Sequence, residues 1–169
     1  MARGSPTPGL RPFLPADAAT LAALFRESVD ELAADDYDEA QREAWASKAD
    51  DEEAFSALLA GEVTIVALVD GEIAGFASLK DNADFHMLYV RPELARRGVG
   101  SALADAIEKI AAGRGTKTLT VDASDAARDF FAARGYVATT RNTIEIAGQW
   151  LGNTTMTKAL AAPVAGSAH

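Results

Sequence analysis

The N-terminal part of the chain carries hydrophobic residues at helical spacing. A first apolar stripe consists of Leu21, Leu24, Phe25, Val29 and Leu32. This spacing predicts an amphipathic helix, and Asp17 is placed as its N-cap. Asp38 and Gln41 have the spacing of a capping box, which predicts a short second helix. Asp50 and Glu53 repeat that signal and predict a third helix.

From residue 63 onward, runs rich in β-branched and aromatic residues alternate with two further helical segments. Asp70-Gly71 lies between two such runs and is a strong hairpin signal. The segment after Val99 has one apolar helical face, and a last helix is predicted over 123–135, closed by Gly135. The predicted strands are 10–14, 63–69, 72–79, 84–90, 116–121, 136–146 and 150–160. This order predicts an α+β fold with a mixed sheet.

Length and composition favour one globular domain. The chain has 169 residues and a hydrophobic content of 49%. We place the domain at residues 10–160. The Gly-, Pro- and Ser-rich start and the small-residue end predict disordered tails at 1–9 and 161–169. No apolar run approaches the ~20 residues of a membrane span, and no secretory signal is recognisable, so we expect a cytoplasmic protein without membrane partners.

The composition also removes several kinds of chemistry. The chain has no cysteine, which excludes thiolate nucleophiles and thiolate metal sites. Only two histidines are present, one of them the terminal His169, so no metal site is expected. The net charge of −9 argues against nucleic-acid binding, which requires a basic surface.

The segment from 95 to 101 has the composition of a phosphate-binding turn. A helix N-terminus exposes unpaired N–H groups and a partial positive charge. Gly98 and Gly100 allow a ligand to approach this backbone, and Arg96 and Arg97 add charged donors. A glycine pair at a strand-to-helix turn is common, so the pattern alone leaves an ordinary turn open. No Walker motif follows, and a dinucleotide fingerprint fits poorly because position 103 is leucine.

Several motifs together resemble the GCN5-related N-acetyltransferase (GNAT) family. The first is the series Leu88-Tyr89-Val90, Pro92 and Arg97-Gly98-Val99-Gly100-Ser101. Residues 123–136 resemble the second motif of the family, and residues 35–45 are similar to a largely uncharacterised bacterial subgroup. The resemblance extends over residues 10 to 160. It implies a mixed, mostly antiparallel sheet flanked by helices.

The resemblance also implies a co-substrate, acetyl-CoA, and no metal. The pantetheine arm would pair with the strand that ends at Val90, and the amides from Gly98 to Ser101 would hold the pyrophosphate. A backbone N–H near Leu88 would polarise the thioester carbonyl while a free amine attacks directly. The residues that the resemblance assigns to the cofactor are Leu88, Tyr89, Val90, Arg96, Arg97, Gly98, Val99, Gly100, Ser101, Ser124 and Phe131.

The chain departs from the family pattern at three positions. Ala95 stands where the loop motif often has Gln or Arg, and Ser124 stands where the second motif usually has Asn. Phe131 replaces the Tyr that commonly protonates the departing thiolate, which leaves Tyr89 or solvent as the acid. This last change keeps a non-catalytic acyl-CoA sensor open as an alternative to the enzyme. A nucleotide-phosphate binder that uses the same loop is a third hypothesis.

Candidate catalytic and substrate residues lie on the strand before the loop and in the flanking elements. A protonated amine must lose a proton before attack. Side chains alternate along a strand, so Asp84, His86 and Leu88 are expected on one face, and Asp84 or His86 is the candidate base. A structural role for His86 stays open. Substrate-pocket candidates are Tyr37, Trp45 and Asn153.

The acidity is concentrated in one segment. Residues 27–53 hold twelve Asp or Glu against Arg42 and Lys48, and the rest of the chain has 13 acids and 14 bases. A negative rim beside the acceptor cleft would favour cationic amines, whereas the alternative is a merely solvated surface. The expected acceptor is thus a small-molecule or peptide amine, including cationic ones. The protein is expected to be a monomer or a homodimer.

Overall fold

A computed structural model describes residues 7–95 and 97–161 of the chain. Within these two ranges, seven strands and five α-helices follow one another in the predicted order. The strands are β1 (Gly9–Pro12), β2 (Val63–Val69), β3 (Glu72–Lys80), β4 (Asp84–Val90), β5 (Thr118–Ser124), β6 (Val137–Ile146) and β7 (Gln149–Ala159). The helices are α1 (Ala18–Leu32), α2 (Glu39–Ala46), α3 (Glu52–Gly61), α4 (Val99–Gly113) and α5 (Arg128–Ala133).

All seven strands form one mixed sheet with the order β1-β2-β3-β4-β5-β7-β6. Every neighbouring pair is antiparallel except β4 and β5, which run parallel. The fold is therefore α+β with a mostly antiparallel sheet flanked by helices, as predicted.

Helices cover both faces of the sheet and divide the core into two main clusters. On one face α4 and α5 pack on Leu79, Phe85 and Leu119. On the other face α1 and α3 pack on Val66 and Phe76. A smaller third cluster joins the loop after α1 to β6 and β7. Both faces of the central strands are buried, and their apolar runs follow from this arrangement.

Hydrogen-bonding side chains fix the starts of α2 and α3. Asp38 and Gln41 form the predicted capping box, since Asp38 Oδ1 accepts from Gln41 N at 2.8 Å and Gln41 Oε1 accepts from Asp38 N at 2.9 Å. The cap of α3 is one residue later than predicted: Asp51, and not Asp50, accepts from Ala54 N at 3.0 Å. Asp17 precedes α1 but makes no capping bond, because its carboxylate binds Arg11 instead.

The last predicted helix is shorter than expected. The sequence suggested a helix over 123–135, whereas α5 occupies only Arg128–Ala133. Residues 118–124 continue as β5 because β7 pairs with them as far as Ser124. The prediction failed here because it ended the strand at residue 121, although the alternation of apolar and polar residues continues through Ala123.

Gly75 brings α4 close to the centre of the sheet. A Cβ at this position would lie 2.8 Å from Tyr89 O and 3.2 Å from Val99 Cγ1. A side chain there would push β4 and α4 away from β3. The glycine therefore helps to set the position of the α4 N-terminus beside the end of β4.

The structure describes only residues 7–9 and 161 of the predicted tails. Residues 1–6 and 162–169 of these segments lie outside the described residues, whereas Gly9 is the first residue of β1. Among the described parts of the chain, no helix is long and apolar enough to cross a membrane.

Candidate active site

The parallel strands β4 and β5 separate after a single residue pair. The register between β4 and β5 contains one pair, Asp84 with Thr120, and Thr120 N donates to Ala83 O at 3.0 Å. Beyond this point β4 remains paired with β3, and β5 remains paired with β7. A cavity of about 950 Å³ opens along the gap, lined by residues 85–90 of β4 and 121–124 of β5. Its size is typical of small-molecule sites.

A β-bulge at His86 changes which way β4 side chains point. Met87 is opposite Ser78 and Phe85 is opposite Leu79, so His86 is the extra residue. Phe85 and Leu88 consequently lie in the α4 cluster, although one position is odd and the other even. The expectation that Asp84, His86 and Leu88 share one face is therefore wrong for Leu88. Simple alternation from the sequence cannot reveal an inserted residue of this kind.

The N-terminus of α4 faces the same cavity. Gly98 is its N-cap with a φ of 83°, in the left-handed region that favours glycine. Ala102 N makes the first helical hydrogen bond, to Gly98 O at 3.0 Å, which leaves the N–H groups of Val99, Gly100 and Ser101 without helical acceptors. No described side chain caps this end, and no acid lies in its first turn.

The members of the predicted cofactor loop contribute in different ways. Gly98, Gly100 and Ser101 line the cavity, whereas the side chain of Val99 is buried in the core and can offer only its backbone N–H. Arg97 is exposed and does not line the cavity. The prediction for Arg96 falls outside the described residues.

β5 and α5 form the opposite wall. Ser124 lines the cavity, and its Oγ accepts from Ala127 N at 3.1 Å in the turn before α5. Phe131 also lines it but is buried, with its ring 5.3 Å from that of Phe85 and 5.1 Å from that of Tyr136. Phe131 therefore shapes this wall and has no proton to donate.

Tyr89 lies on the face of the sheet that carries α1. Its ring packs edge-on against Phe25, 4.6 Å between centroids, and lies 6.4 Å from the ring of Trp45. Burial raises the pKa of Tyr89 to about 12, so the phenol stays protonated at neutral pH. Leu88 and Val90 point to the other face, against α4.

The two candidate bases have different surroundings. His86 lines the cavity, and its Nδ1 lies 2.8 and 2.9 Å from the two carboxylate oxygens of Glu62, at the end of α3. The Glu62 side chain is only 5% exposed, whereas that of His86 is 38% exposed, so the carboxylate fixes the imidazole from the protein side. Asp84 is exposed at the start of β4 and does not line the cavity.

The three substrate-pocket candidates all line the cavity. Tyr37 also closes a structural contact: its hydroxyl donates to Gly152 O at 2.6 Å and accepts from Asp125 N at 2.8 Å. Burial raises the pKa of Tyr37. Asn153 Oδ1 accepts from Asn142 Nδ2 at 2.9 Å, and Trp45 packs edge-on against Tyr37.

Sequence reasoning missed three charged residues of the cavity, Asp122, Lys48 and Asp129. Asp122 follows a period-two pattern in which Leu119, Val121 and Ala123 are buried and the residues between them face the other side. This alternation was the available signal, but the strand was ended at residue 121. Thr155 Oγ1 donates to Asp122 Oδ1 at 2.6 Å.

No comparable sequence pattern indicated Lys48, because it lies in a short 3-10 turn between α2 and α3.

The acidic side chains of residues 27–53 lie outside the cavity. None of the twelve acids between residues 27 and 53 lines the cavity.

Comparison with known proteins agrees with this geometry. The family profile described as acetyltransferase (GNAT) domain matches residues 33–160. The chain is 34% identical over 144 residues to the uncharacterized N-acetyltransferase YafP of Escherichia coli K12. The alignment covers 85% of this chain and 91% of YafP.

Solved structures show the same architecture. A GCN5-related N-acetyltransferase from Rhodopseudomonas palustris superposes with a TM-score of 0.92 at 56% identity, over 95% of this chain and 100% of that one. The PaiA N-acetyltransferase of Thermoplasma acidophilum, determined with coenzyme A, has a TM-score of 0.75 at 19% identity, over 91% and 99% of the two chains. The chain belongs to the GNAT family of acetyltransferases.

Proposed function

We propose that the protein transfers an acetyl group from acetyl-CoA to a primary amine, which attacks the thioester directly. The observation that carries this proposal is the gap between β4 and β5, along which one cavity extends from the α4 N-terminus to a largely apolar part, the chamber lined by α1 and α3. Such a gap accepts a narrow extended molecule with an anionic end.

The chain's own groups fit acetyl-CoA. The free N–H groups at the start of α4 supply donors and positive potential for the pyrophosphate, where no acid competes. The edge of β4 that has left β5 offers backbone groups to the amides of pantetheine, as an added strand would. PaiA, which shares this fold, was solved in complex with coenzyme A.

The transfer needs one proton acceptor and one proton donor. The base removes one proton from the ammonium, the free amine nitrogen forms a bond to the acyl carbon as the carbon–sulfur bond breaks, and the second proton of the nitrogen leaves to solvent. We assign the base to His86, because it lines the cavity and Glu62 holds its Nδ1, which leaves Nε2 for the amine or a bridging water. Asp84 and Asp122 are the competing assignments. The thiolate takes a proton from solvent or from Tyr89.

The alternative is a sensor that binds acyl-CoA without turnover. This alternative is supported by Phe131, which is buried in the wall and lacks the hydroxyl of the tyrosine that commonly protonates the thiolate. Two measurements separate the hypotheses: calorimetric titration with acetyl-CoA and thiol release with a panel of amines. Binding with amine-dependent release supports the enzyme. Binding without release from any amine supports the sensor, and absence of binding contradicts both.

A further inference from the structure

The chamber beyond β4 has walls of mainly apolar side chains. α1 and α3 contribute Phe25, Val29, Leu32, Phe55 and Leu58, and Leu151 approaches from β7. Leu32 and Leu58 both line the chamber and are each 41% exposed. These walls favour an acceptor with an apolar body.

Lys48 places a cation in this chamber. Its backbone is fixed, because the next residue, Ala49, is fully buried and its carbonyl accepts from Arg26 Nη1 at 3.0 Å. Among the described residues, no carboxylate lies within ion-pair distance of the Lys48 ammonium. The protein around the open chamber lowers the pKa of Lys48 through burial, and no neighbouring acid opposes this effect.

The other charged groups of the cavity do not form an ion pair with the Lys48 ammonium. His86 is already engaged by Glu62, and Asp122 lies across the gap on β5, held by Thr155. Asp129, on α5, belongs to the wall on the α4 side. Lys48 is solvent-exposed, yet it lines the chamber and has no ion-pair partner among the described residues, so its ammonium can pair with an anionic group of a ligand.

We propose that the acceptor is an amino acid-like molecule, with a carboxylate that pairs with Lys48 and an amine that faces the gap between β4 and β5. This inference rests on the proposed acetyltransferase function and names its substrate class. One ammonium balances one negative charge, which suits a carboxylate better than a phosphate, since phosphates call for several donors or a guanidinium. The amine of such a molecule is still cationic, but a second cationic group would be repelled by Lys48.

The test compares acceptors that differ in one charge. Apolar amino acids with increasing separation of amine and carboxylate are each paired with their primary amide, and kcat/KM is measured by thiol release. The carboxylate forms are expected to exceed their amides by about tenfold to a hundredfold at the best separation, as for hydrogen bonds to charged groups. Lys48→Met should remove this preference, and Lys48→Arg should retain it. Lys109→Met, on the exposed side of α4, is the control and should leave the rates of both forms unchanged.

A binding measurement keeps the inference separate from the proposed function. The same amino acids and amides are titrated by calorimetry into the protein saturated with coenzyme A. Tighter binding of the carboxylates in the parent, lost in Lys48→Met, supports the acceptor class even if no thiol is released and the enzyme hypothesis fails. Equal affinity and equal turnover of acids and amides, or a preference that survives in Lys48→Met, overturns the inference while leaving the acetyltransferase intact.

Discussion

At the scale of single residues, function depends on how a neighbour orients each polar side chain. We propose His86 as the base because it lines the cavity at a bulge of β4 and the buried Glu62 side chain holds one of its ring nitrogens. The sequence identified His86 as a candidate from its residue type and position. It could not identify Glu62 as the partner, because the two are 24 residues apart and meet only through packing of α3 on the sheet.

His86→Ala is expected to lower turnover by about 10²–10⁴-fold, the usual contribution of a general base. Affinity for acetyl-CoA should stay unchanged, because His86 lies away from the start of α4. Steady-state kinetics with calorimetry on the variant, beside Asp84→Asn and Asp122→Asn, measures both. A loss confined to one aspartate variant would reassign the base, and full activity in His86→Ala would contradict its role.

Tyr37→Phe tests a contact that joins the acceptor wall to the ends of β5 and β7. The substitution keeps the ring against Trp45 but removes both hydrogen bonds of the hydroxyl. It leaves Gly152 O and Asp125 N without this partner, so the free energy of unfolding should fall by about 1–3 kcal/mol. Urea denaturation gives the change. An unchanged midpoint would mean that water replaces the hydroxyl without cost.

At the scale of elements, the strand and helix order was predictable because each segment has a clear period. Period-two runs bounded by turn residues gave β2, β3 and β4, and the Asp70-Gly71 turn has positive φ at both positions. The bulge at His86 and the parting of β4 from β5 were not predictable. Both arise from how strands pair across the sheet, which no single segment encodes.

The contact between α4 and β7 gives an element-scale prediction about pH. Burial raises the pKa of Glu108, but hydrogen bonds from Lys158, Arg134 and Tyr136 outweigh it and lower the pKa overall. The lowered value means that Glu108 stabilises the fold above the unfolded pKa of about 4.3. This contribution is lost as pH falls through the folded value.

Glu108→Gln should therefore reduce stability at neutral pH, and the difference from the parent should shrink under acid conditions. Thermal unfolding of both proteins from neutral to acid pH measures the difference. If the difference in Tm between parent and variant stays constant over this pH range, Glu108 contributes to stability by packing and not by charge.

At the scale of the whole molecule, the charge distribution separates surface from site. The acidic segment gives the protein its net charge of −9, yet it supplies apolar residues, Tyr37 and Lys48 to the cavity. The count of charges along the chain therefore predicted the negative charge of the surface outside the cavity. It could not predict the sign of the charge inside the chamber, because that depends on which side of α1 and α2 each residue occupies.

The most direct test of the account is titration of acetyl-CoA into the parent, Gly98→Ala and Gly98→Glu. Both variants carry the cost of a side chain at φ 83°, roughly 1–2 kcal/mol, and a Cβ there meets no atom within 4 Å. Only Glu adds a negative charge where the pyrophosphate is placed. We expect Gly98→Ala to bind nearly as well as the parent and Gly98→Glu to lose at least about a hundredfold. Equal affinity of the two variants for acetyl-CoA would contradict a pyrophosphate-binding site at the start of α4.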